Sequence, residues 1–553
     1  MILIDPGSSA LGPDSAPVAA RLRDWDRDRV AERLWAADPT LWPNAPAADV
    51  ANRTGWLALP EQMRSEVPGL RSFAEGVRAD GTRHVVLLGM GGSSLAPDVL
   101  RRMYGPRPGF PEMIVLDSTH PDAVRGVRDR IDPARSLFVV SSKSGTTTEP
   151  LDFYRFFRNA VENARVDPSP HFAAVTDPGS PLDGLATKER FRTVFRAVST
   201  VGGRYSALTM FGLAPAALLG VNLDELLARA GRMADASGAT VPATANPGLS
   251  LGAALGEVAA RGRDKLTMYA GPSVGAFPIW AEQLVAESTG KEGRGIVPVV
   301  GEPFAAPATY GNDRQFVELQ STSAPDAQLA AHTARLEAAG HPVLRFSLGE
   351  TADVGQEFFR WEVGVALAGA ILGINPFDQP DVELAKQLAR AAMARPAGPA
   401  ASPEVREERI GEGPALTDAL ARWLGSARPR DYVALQAYVA PTEPVSAALD
   451  ALRQVLLART RLATTVGFGP RFLHSTGQLH KGGPNTGLFL QIVDTPAADL
   501  EVPGAGYTFG QLIHAQSLGD YQALQQKGRR VLRVQLGTDV AAGLEKLTEA
   551  CRG

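Results

Sequence analysis

The chain has 553 residues, a formal net charge of −4, 44% hydrophobic residues and 21% charged residues, values typical of a soluble globular protein with about three to four domains. The near balance of charge disfavours nucleic acid as a partner, and the single cysteine, Cys551, excludes an internal disulfide bond. Because no apolar run approaches the ~20 residues of a membrane span and the first residues lack a secretory signal pattern, we expect a cytoplasmic protein with no membrane partner.

Residues 1–60 are predicted to form a helical extension, because part of this segment has helical spacing and a proline-containing stretch then breaks it. From about residue 84, short apolar runs alternate with amphipathic segments, which is typical of a parallel sheet with crossover helices. We assign this first α/β domain to residues 61–215. Its predicted strands are HVVLLG, MIVLD, SLFVVSS and FAAVTD.

The same alternation returns over residues 216–394 and predicts a second α/β domain. Residues 395–416 are rich in proline, glycine and charged side chains and predict a linker. Residues 417–553 then read as a separate α+β domain. The predicted strands of these two domains are KLTMYAG, GIVPVV, FVELQ, PVLRFSLG, DYVALQAYV, GLFLQIV and RVLRVQL.

Two strand ends carry small polar residues that could hold an anion. They are GMGGSSLAP at residues 89–97 and SSKSGTTTEP at residues 141–150, the second with six hydroxyl side chains. Free backbone amides, hydroxyls and a helix N-terminus suit a phosphate group. The alternative is helix capping, by Ser94 in one segment and by Thr147 or Thr148 in the other. Neither segment matches a nucleotide P-loop or the dinucleotide fingerprint, which favours a sugar phosphate.

A third motif, GGRYSALT at residues 202–209, presents Arg204 beside two glycines that allow close approach of the backbone. An arginine at such a turn can stabilise a developing oxyanion. The alternative reading of a lone arginine is a structural salt bridge.

Together these three motifs resemble those of the phosphoglucose isomerase family. Two further segments follow in the family's order: WAEQLVAESTGKEGRG at residues 280–295 and NPFDQPDVELAKQLA at residues 375–389. The resemblance covers about residues 84–390. It implies an α/β fold with two sugar-isomerase type parallel-sheet domains and flanking helices, a homodimer, and no cofactor or metal.

The resemblance also implies roles for individual residues. Glu287 takes the position of the general base, Arg204 lies beside the enediolate, and Lys386 of the last motif is a third catalytic position. Gln283 lies one helical turn before the base and on the same face, and Gln379 would lie about two turns before Lys386 if that helix is continuous. The remaining substrate-binding positions are Gly92, Ser93, Ser142, Lys143, Ser144 and Thr147.

The chain departs from the family pattern at one position. Where the family has a histidine that opens the sugar ring, the aligned residue here is Arg314, and an arginine is a poor proton shuttle. Two of the eight histidines, His474 and His480, lie in GFGPRFLHSTGQLHKGGPNTG at residues 467–487. Either could move the ring proton. The alternative is an ordinary structured loop, and no nearby carboxylate or cysteine supports metal binding.

The resemblance implies an isomerase that interconverts glucose 6-phosphate and fructose 6-phosphate in glycolysis and gluconeogenesis. One carboxylate moves a proton between adjacent carbons of a cis-enediolate, while a cation stabilises the negative charge. Two alternatives stay open: an isomerase that also accepts mannose 6-phosphate, and a sugar-phosphate-binding regulator without catalysis. The long tail resembles the isomerase half of bifunctional transaldolase–phosphoglucose isomerase proteins.

Overall fold

A computed structural model describes residues 10–393, 407–410 and 414–552. The N-terminal part is helical, as expected, and leads into the first sheet. Its helices are α1 (Ser15–Arg27), α2 (Val30–Trp35), α3 (Ala47–Ala51), α4 (Leu59–Gln62) and α5 (Val67–Ala79).

The first sheet has five parallel strands in the order β2-β1-β3-β4-β5. Strand order reverses between β1 and β3, and ligands of open α/β sheets bind at the carboxyl ends of the strands at such a point. The register pairs Gly89 with Ser141, so the glycine turn and the hydroxyl-rich loop leave the sheet side by side. The elements are β1 (His84–Gly89), α6 (Leu95–Tyr104), β2 (Glu112–Leu116), α7 (Pro121–Arg130), β3 (Ser136–Ser141), α8 (Thr148–Asn163), β4 (Phe172–Thr176), α9 (Pro181–Lys188) and β5 (Thr193–Arg196).

The second sheet is also parallel, with the order β7-β6-β8-β9 and a reversal between β6 and β8. The helix that follows β6 therefore begins at the carboxyl edge of this sheet. The elements are α10 (Met210–Leu218), α11 (Leu223–Ala236), α12 (Pro247–Ala260), β6 (Lys265–Ala270), α13 (Phe277–Thr289), β7 (Val297–Val300), β8 (Arg314–Ser321), α14 (Ala327–Ala338), β9 (Val343–Leu348), α15 (Val354–Leu372) and α16 (Glu383–Met393).

The third sheet corrects the prediction of an α+β domain. All its strand pairs are parallel, in the order β10-β14-β13-β11-β12, and helices connect the strands. This is an α/β arrangement, because parallel neighbours require crossover connections. The elements are β10 (Glu407–Arg409), α17 (Pro414–Gly425), β11 (Tyr432–Tyr438), α18 (Glu443–Thr460), β12 (Ala463–Phe468), α19 (Gly477–Gly482), β13 (Gly487–Val493), α20 (Phe509–Gln526), β14 (Arg530–Gln535) and α21 (Val540–Arg552).

Three short strands, β5, β10 and β12, were not predicted from the sequence. Strand β10 falls within the predicted linker and pairs with β14, whereas residues 394–406 and 411–413 of that region lie outside the described residues. Every strand that was predicted is present, and the α/β fold class is confirmed.

The C-terminal unit, residues 414–552, packs on both other sheets. Phe509 and Leu512 of α20 join the apolar core beside the first sheet. Leu479 of α19 and Tyr432 of β11 join Ala286 of α13 in a second buried cluster. Buried apolar contacts of this kind hold the three sheets together. Across the described helices, none combines the length and hydropathy needed to cross a bilayer.

Candidate active site

Helix α13 carries the predicted base. Gln283 Nε2 donates to Glu287 Oε2 at 2.9 Å, as expected for residues four apart on one helix face. The same Gln283 nitrogen lies 2.8 Å from the main-chain oxygen of His474, and the Gln283 Oε1 atom is buried without a hydrogen-bond partner among the described residues. Gln283 therefore links the base to a segment of the C-terminal unit.

Arg204 is the buried cation beside Glu287. Its Nη1 lies 3.4 Å from Glu287 Oε1 and donates to Gln379 Oε1 at 3.0 Å. Its Nη2 also donates to the main-chain oxygens of Pro376 and Asp378, each at 2.8 Å. The side chain is 3% exposed. A guanidinium has five donors in a fixed plane, so one residue can hold the base and shape the loop opposite it.

Gln379 and Lys386 do not share a continuous helix. Gln379 precedes a 3-10 turn, Pro380–Val382, and α16 begins only at Glu383. Gln379 consequently contacts Arg204, while Lys386 extends from the first turns of α16 and is 41% exposed. The proline interrupts the helix that their spacing had suggested.

Lys291 was missed by the sequence analysis, although it lies in the polar segment that follows the base. Its Nζ donates to the main-chain oxygen of Asn375 at 2.7 Å and to Asp378 Oδ1 at 2.8 Å. Burial, followed by the nearby charge of Arg204, lowers the pKa of Lys291 to about 8. Two buried cations thus hold the loop that leads to α16.

The glycine turn after β1 allows backbones to approach closely. A Cβ at Gly92 would lie 2.1 Å from the main-chain oxygen of Gly203, and a Cβ at Gly91 would lie 2.5 Å from that of His474. Ser93 is buried in the same turn. Ser94 precedes α6, and its hydroxyl lies 3.3 Å from the oxygen of Gly91, a bond within the turn. The turn therefore brings the Arg204 and His474 segments together.

The hydroxyl-rich loop divides into two parts. Ser144 and Thr147 line a cavity, whereas Ser142 lies behind it and donates to Thr147 Oγ1 at 2.9 Å. Thr147 precedes α8, but its side chain makes no capping hydrogen bond within the described part of the chain. Lys143 extends to an ion pair with Asp177. Hydroxyls thus face the cavity, while the lysine of this loop is neutralised beside it.

The cavity has a volume of about 480 Å³, within the range of small-molecule sites. It lies where the first sheet, α16 and the C-terminal unit meet. Hydroxyls, cations, carboxylates and apolar side chains all contribute to it. The lining residues are Ser144, Thr146, Thr147, Thr148, Glu149, Val382, Glu383, Ala385, Lys386, Ala389, Arg390, Met393, Leu473, His474, Lys481, Tyr507, Leu512 and Gln516.

His474 reaches this cavity and forms a pair with a buried carboxylate. Its Nε2 lies 3.0 Å from Glu149 Oε1, which also accepts from Gln516 Nε2 at 2.7 Å. Thr119 donates in turn to Gln516 Oε1 at 2.7 Å. Burial opposes ionisation of Glu149, but the charge and hydrogen bond of His474 outweigh it and lower the pKa of this carboxyl. A histidine with an ordered carboxylate partner is well placed for proton transfer.

His480 and Arg314 lie elsewhere. The ring of His480 is buried between Phe472 and Phe489, and burial, followed by the charge of Lys481, lowers its pKa well below the ordinary value. His480 thus packs in the interior, as in the alternative of an ordinary structured loop.

Arg314 is fully buried at the start of β8. Its guanidinium pairs with Glu302 at 2.9 Å, and Glu302 accepts from the amide of Thr464 in β12 at 2.8 Å. Through Glu302, Arg314 therefore connects the second and third sheets, and it is not among the residues that line the cavity.

Comparison with known proteins adds an independent observation. A family model described as phosphoglucose isomerase matches residues 52–297. A glucose-6-phosphate isomerase of Rubrobacter xylanophilus is 31% identical over 425 residues, which are 67% of this chain and 94% of the relative. The chain belongs to the phosphoglucose isomerase family. A second relative, the glucose-6-phosphate isomerase of Symbiobacterium thermophilum, is 30% identical and covers 65% of this chain and 91% of its own length.

Solved structures share the family's fold with this chain. A hypothetical protein from Thermus thermophilus has a TM-score of 0.60 at 24% identity and covers 70% of this chain and 100% of its own. A glucose-6-phosphate isomerase from Chlamydia trachomatis has a TM-score of 0.51 at 24% identity and covers 66% and 77%. At 24% identity, these two structures show that the fold is shared and nothing further.

Within this phosphoglucose isomerase fold, the predicted residues form two adjacent groups. Gln283, Glu287, Arg204 and Gln379 form one hydrogen-bonded group, and the hydroxyl loop, Lys386 and His474 line the cavity. Sequence reasoning missed the cavity residues Glu149, Lys481 and Gln516. Glu149 stands in the quoted hydroxyl motif and Lys481 follows His480, so their positions were visible, but their convergence depends on the packing of three sheets.

Proposed function

We propose that this protein interconverts glucose 6-phosphate and fructose 6-phosphate through a cis-enediolate. The observation that carries the proposal is the position of Gln283, whose amide contacts both the Glu287 carboxylate and the main chain of His474. The carboxylate base is thereby linked to the segment whose histidine lines the hydroxyl-rich cavity. The names of the relatives support the choice of substrate.

Glu287 acts as the base that takes the proton from C2 and returns it to C1. Its carboxylate faces the permanently charged guanidinium of Arg204 at 3.4 Å, and the same cation can stabilise the negative charge that develops on the enediolate oxygen. The hydrogen bond from Gln283 fixes the orientation of the carboxylate. A single base suffices because C1 and C2 are adjacent.

His474 opens the sugar ring before proton transfer. When protonated it donates to the ring oxygen as the bond between this oxygen and C1 breaks, while a solvent water takes the proton of the C1 hydroxyl and the C1 carbonyl of the aldehyde forms. Glu149 Oε1, 3.0 Å from Nε2 of His474, holds the imidazole in place. This proposal gives His474 the role that the family assigns to the position of Arg314.

The phosphate end lies against the hydroxyl loop. Ser144, Thr146 and Thr147 offer hydroxyl donors at the cavity wall, and Lys386 supplies a positive charge to the same cavity. Hydroxyls and one lysine are a suitable donor set for a phosphate dianion. Binding energy at this end positions C1 and C2 for the chemistry.

We further propose a cytoplasmic homodimer. This part rests on the resemblance of the sequence motifs to those of the family. Light scattering at several protein concentrations tests the dimer.

The test of the function is a coupled assay of both directions with three proteins: the wild type, Glu287→Gln and Glu362→Gln. Glu362 is a fully buried carboxyl on α15, and burial raises its pKa well above the ordinary value, so an amide of nearly the same shape is a mild substitution there. We expect Glu287→Gln to lose about 10²–10⁴-fold in kcat while it still binds sugar phosphate, and Glu362→Gln to keep wild-type turnover. Binding without turnover by the wild type would favour a regulator and end the proposal.

A further inference from the structure

The turn that carries His474 belongs to the C-terminal unit but lies against the first sheet. It is a 3-10 turn, Arg471–His474, in which residues three apart project from the same side. At its first position the Arg471 Nε atom lies 3.1 Å from Asp117 Oδ2, and Nη2 lies 3.6 Å from Asp98 Oδ2. Asp117 follows β2 and Asp98 lies in α6, so one guanidinium joins the turn to two elements of the first sheet.

The surroundings of Arg471 are acidic and poorly solvated. Burial raises the pKa of Glu282, the residue before Gln283 on α13, to about 7, although the charges of Arg471 and Arg453 oppose the shift. Burial also raises the pKa of Asp117 despite the opposing charge of Arg471. The guanidinium of Arg471 is thus a buried cation that pairs with Asp117 and Asp98, and removing it would leave these carboxyl groups without that partner.

The other end of the turn is fixed at the site itself. The oxygen of His474 accepts from Gln283, and its ring pairs with Glu149. Arg471, three residues earlier, attaches the opposite end of the same turn to Asp117 and Asp98, so the turn is held at both ends.

We propose that Arg471 is a positioning residue for ring opening, which holds the turn so that the imidazole of His474 faces the cavity. The proposal rests on the isomerase function proposed above. Arg471 itself touches no substrate. Its loss should therefore impair the step that uses His474 more than substrate binding or the proton transfer by Glu287.

The test measures ring opening separately from isomerisation. Opening and reclosing the ring interconverts the two anomers of glucose 6-phosphate, and this exchange is measured by NMR in a Glu287→Gln background, where isomerisation is lost. We expect Arg471→Lys, which keeps the charge but not the planar fork, to slow enzyme-catalysed anomer exchange about 10–100-fold, the loss expected when a catalytic group is misplaced by roughly 1 Å. The Kd for glucose 6-phosphate should change less than threefold.

Arg314→Lys is the matched control, because Arg314 is equally an ion-paired arginine but lies in the core. It should lower Tm by a similar amount and leave anomer exchange unchanged. If Arg471→Lys does not fold, the double variant Arg471→Met with Asp117→Asn takes its place. It keeps the fold because it removes the cation together with one carboxylate. It should slow anomer exchange by the same factor.

Anomer exchange at the wild-type rate in the folded Arg471 variants would overturn the proposal. A wild type that isomerises but does not accelerate anomer exchange would overturn it as well. A wild type without isomerase activity would instead refute the proposed function.

Discussion

The pair formed by Glu149 and His474 leads to a quantitative prediction for Glu149→Gln. The carboxylate is 5% exposed and lies 3.0 Å from the imidazole. Hydrogen bonds to charged groups contribute about 1.5–3 kcal/mol, so replacing the carboxylate by an amide should weaken the interaction that holds the imidazole by about 10–150-fold. We expect kcat near neutral pH to fall by about 10–100-fold.

The direction of the pH effect follows from the same interaction. Although burial opposes ionisation, the contact with His474 lowers the pKa of Glu149, so this carboxyl stays ionised to a lower pH than an ordinary glutamate. The interaction is present while Glu149 is ionised and is lost as the pH falls through its lowered pKa. In Glu149→Gln the ionised partner is absent at every pH, so the loss of kcat/KM relative to the wild type should be constant over the neutral and alkaline range and should shrink only in acid, where Glu149 of the wild type is protonated too.

The assay is kcat and kcat/KM for both directions between roughly pH 5.5 and 9.5. Glu383→Gln provides the comparison, because Glu383 also lines the cavity but is half exposed and lies 3.9 Å from Lys386. Exposed pairs contribute about 0–1 kcal/mol, so this variant should lose less than about fivefold. Superimposable profiles of Glu149→Gln and the wild type, or equal losses in the two variants, would refute the reasoning.

Three further predictions concern individual side chains. Lys386→Met should raise KM for glucose 6-phosphate by about tenfold with a smaller change in kcat, because a partly exposed phosphate contact contributes roughly 1–1.5 kcal/mol; an unchanged KM would remove Lys386 from the site. His480→Leu should lower Tm but retain kcat, whereas His474→Leu should retain Tm and lose at least about 10²-fold in kcat. A large loss of kcat in His480→Leu, with kcat retained in His474→Leu, would show that the wrong histidine was chosen. Lys291 has a folded-state pKa of about 8, which is below its unfolded value, so the unfolded state binds more protons above pH 8. Relative to Lys291→Gln, the free energy of unfolding of the wild type should therefore rise by about 1–3 kcal/mol between pH 7.5 and 9.5. Urea titrations that show a fall over this range would contradict the assigned shift.

Local geometry explains which features could be predicted from the sequence. The spacing of Gln283 and Glu287 on one helix determines that they face the same side, and the structure shows their hydrogen bond. The hydroxyl loop was predicted to follow a buried strand, and it leaves β3 at the switch point of the first sheet. Such features depend on a few consecutive residues, and periodicity is sufficient to find them.

Features that depend on distant segments could not be predicted in the same way. Lys143 was expected at the phosphate but pairs with Asp177, which lies 34 residues away. Gln516 reaches Glu149 across 367 residues. The turn of His474 approaches the first sheet only because the C-terminal unit packs on it, and no local pattern in the sequence encodes that contact.

The most direct test of the central claim follows a deuterium label at C2 of glucose 6-phosphate. Because Glu287 is proposed to take that hydrogen, the wild type should remove the label from C2 and deliver it to C1 of fructose 6-phosphate or to water, while Glu287→Gln leaves it at C2. NMR of the product and of the remaining substrate measures both outcomes. Loss of the C2 label in Glu287→Gln at the wild-type rate would contradict the account.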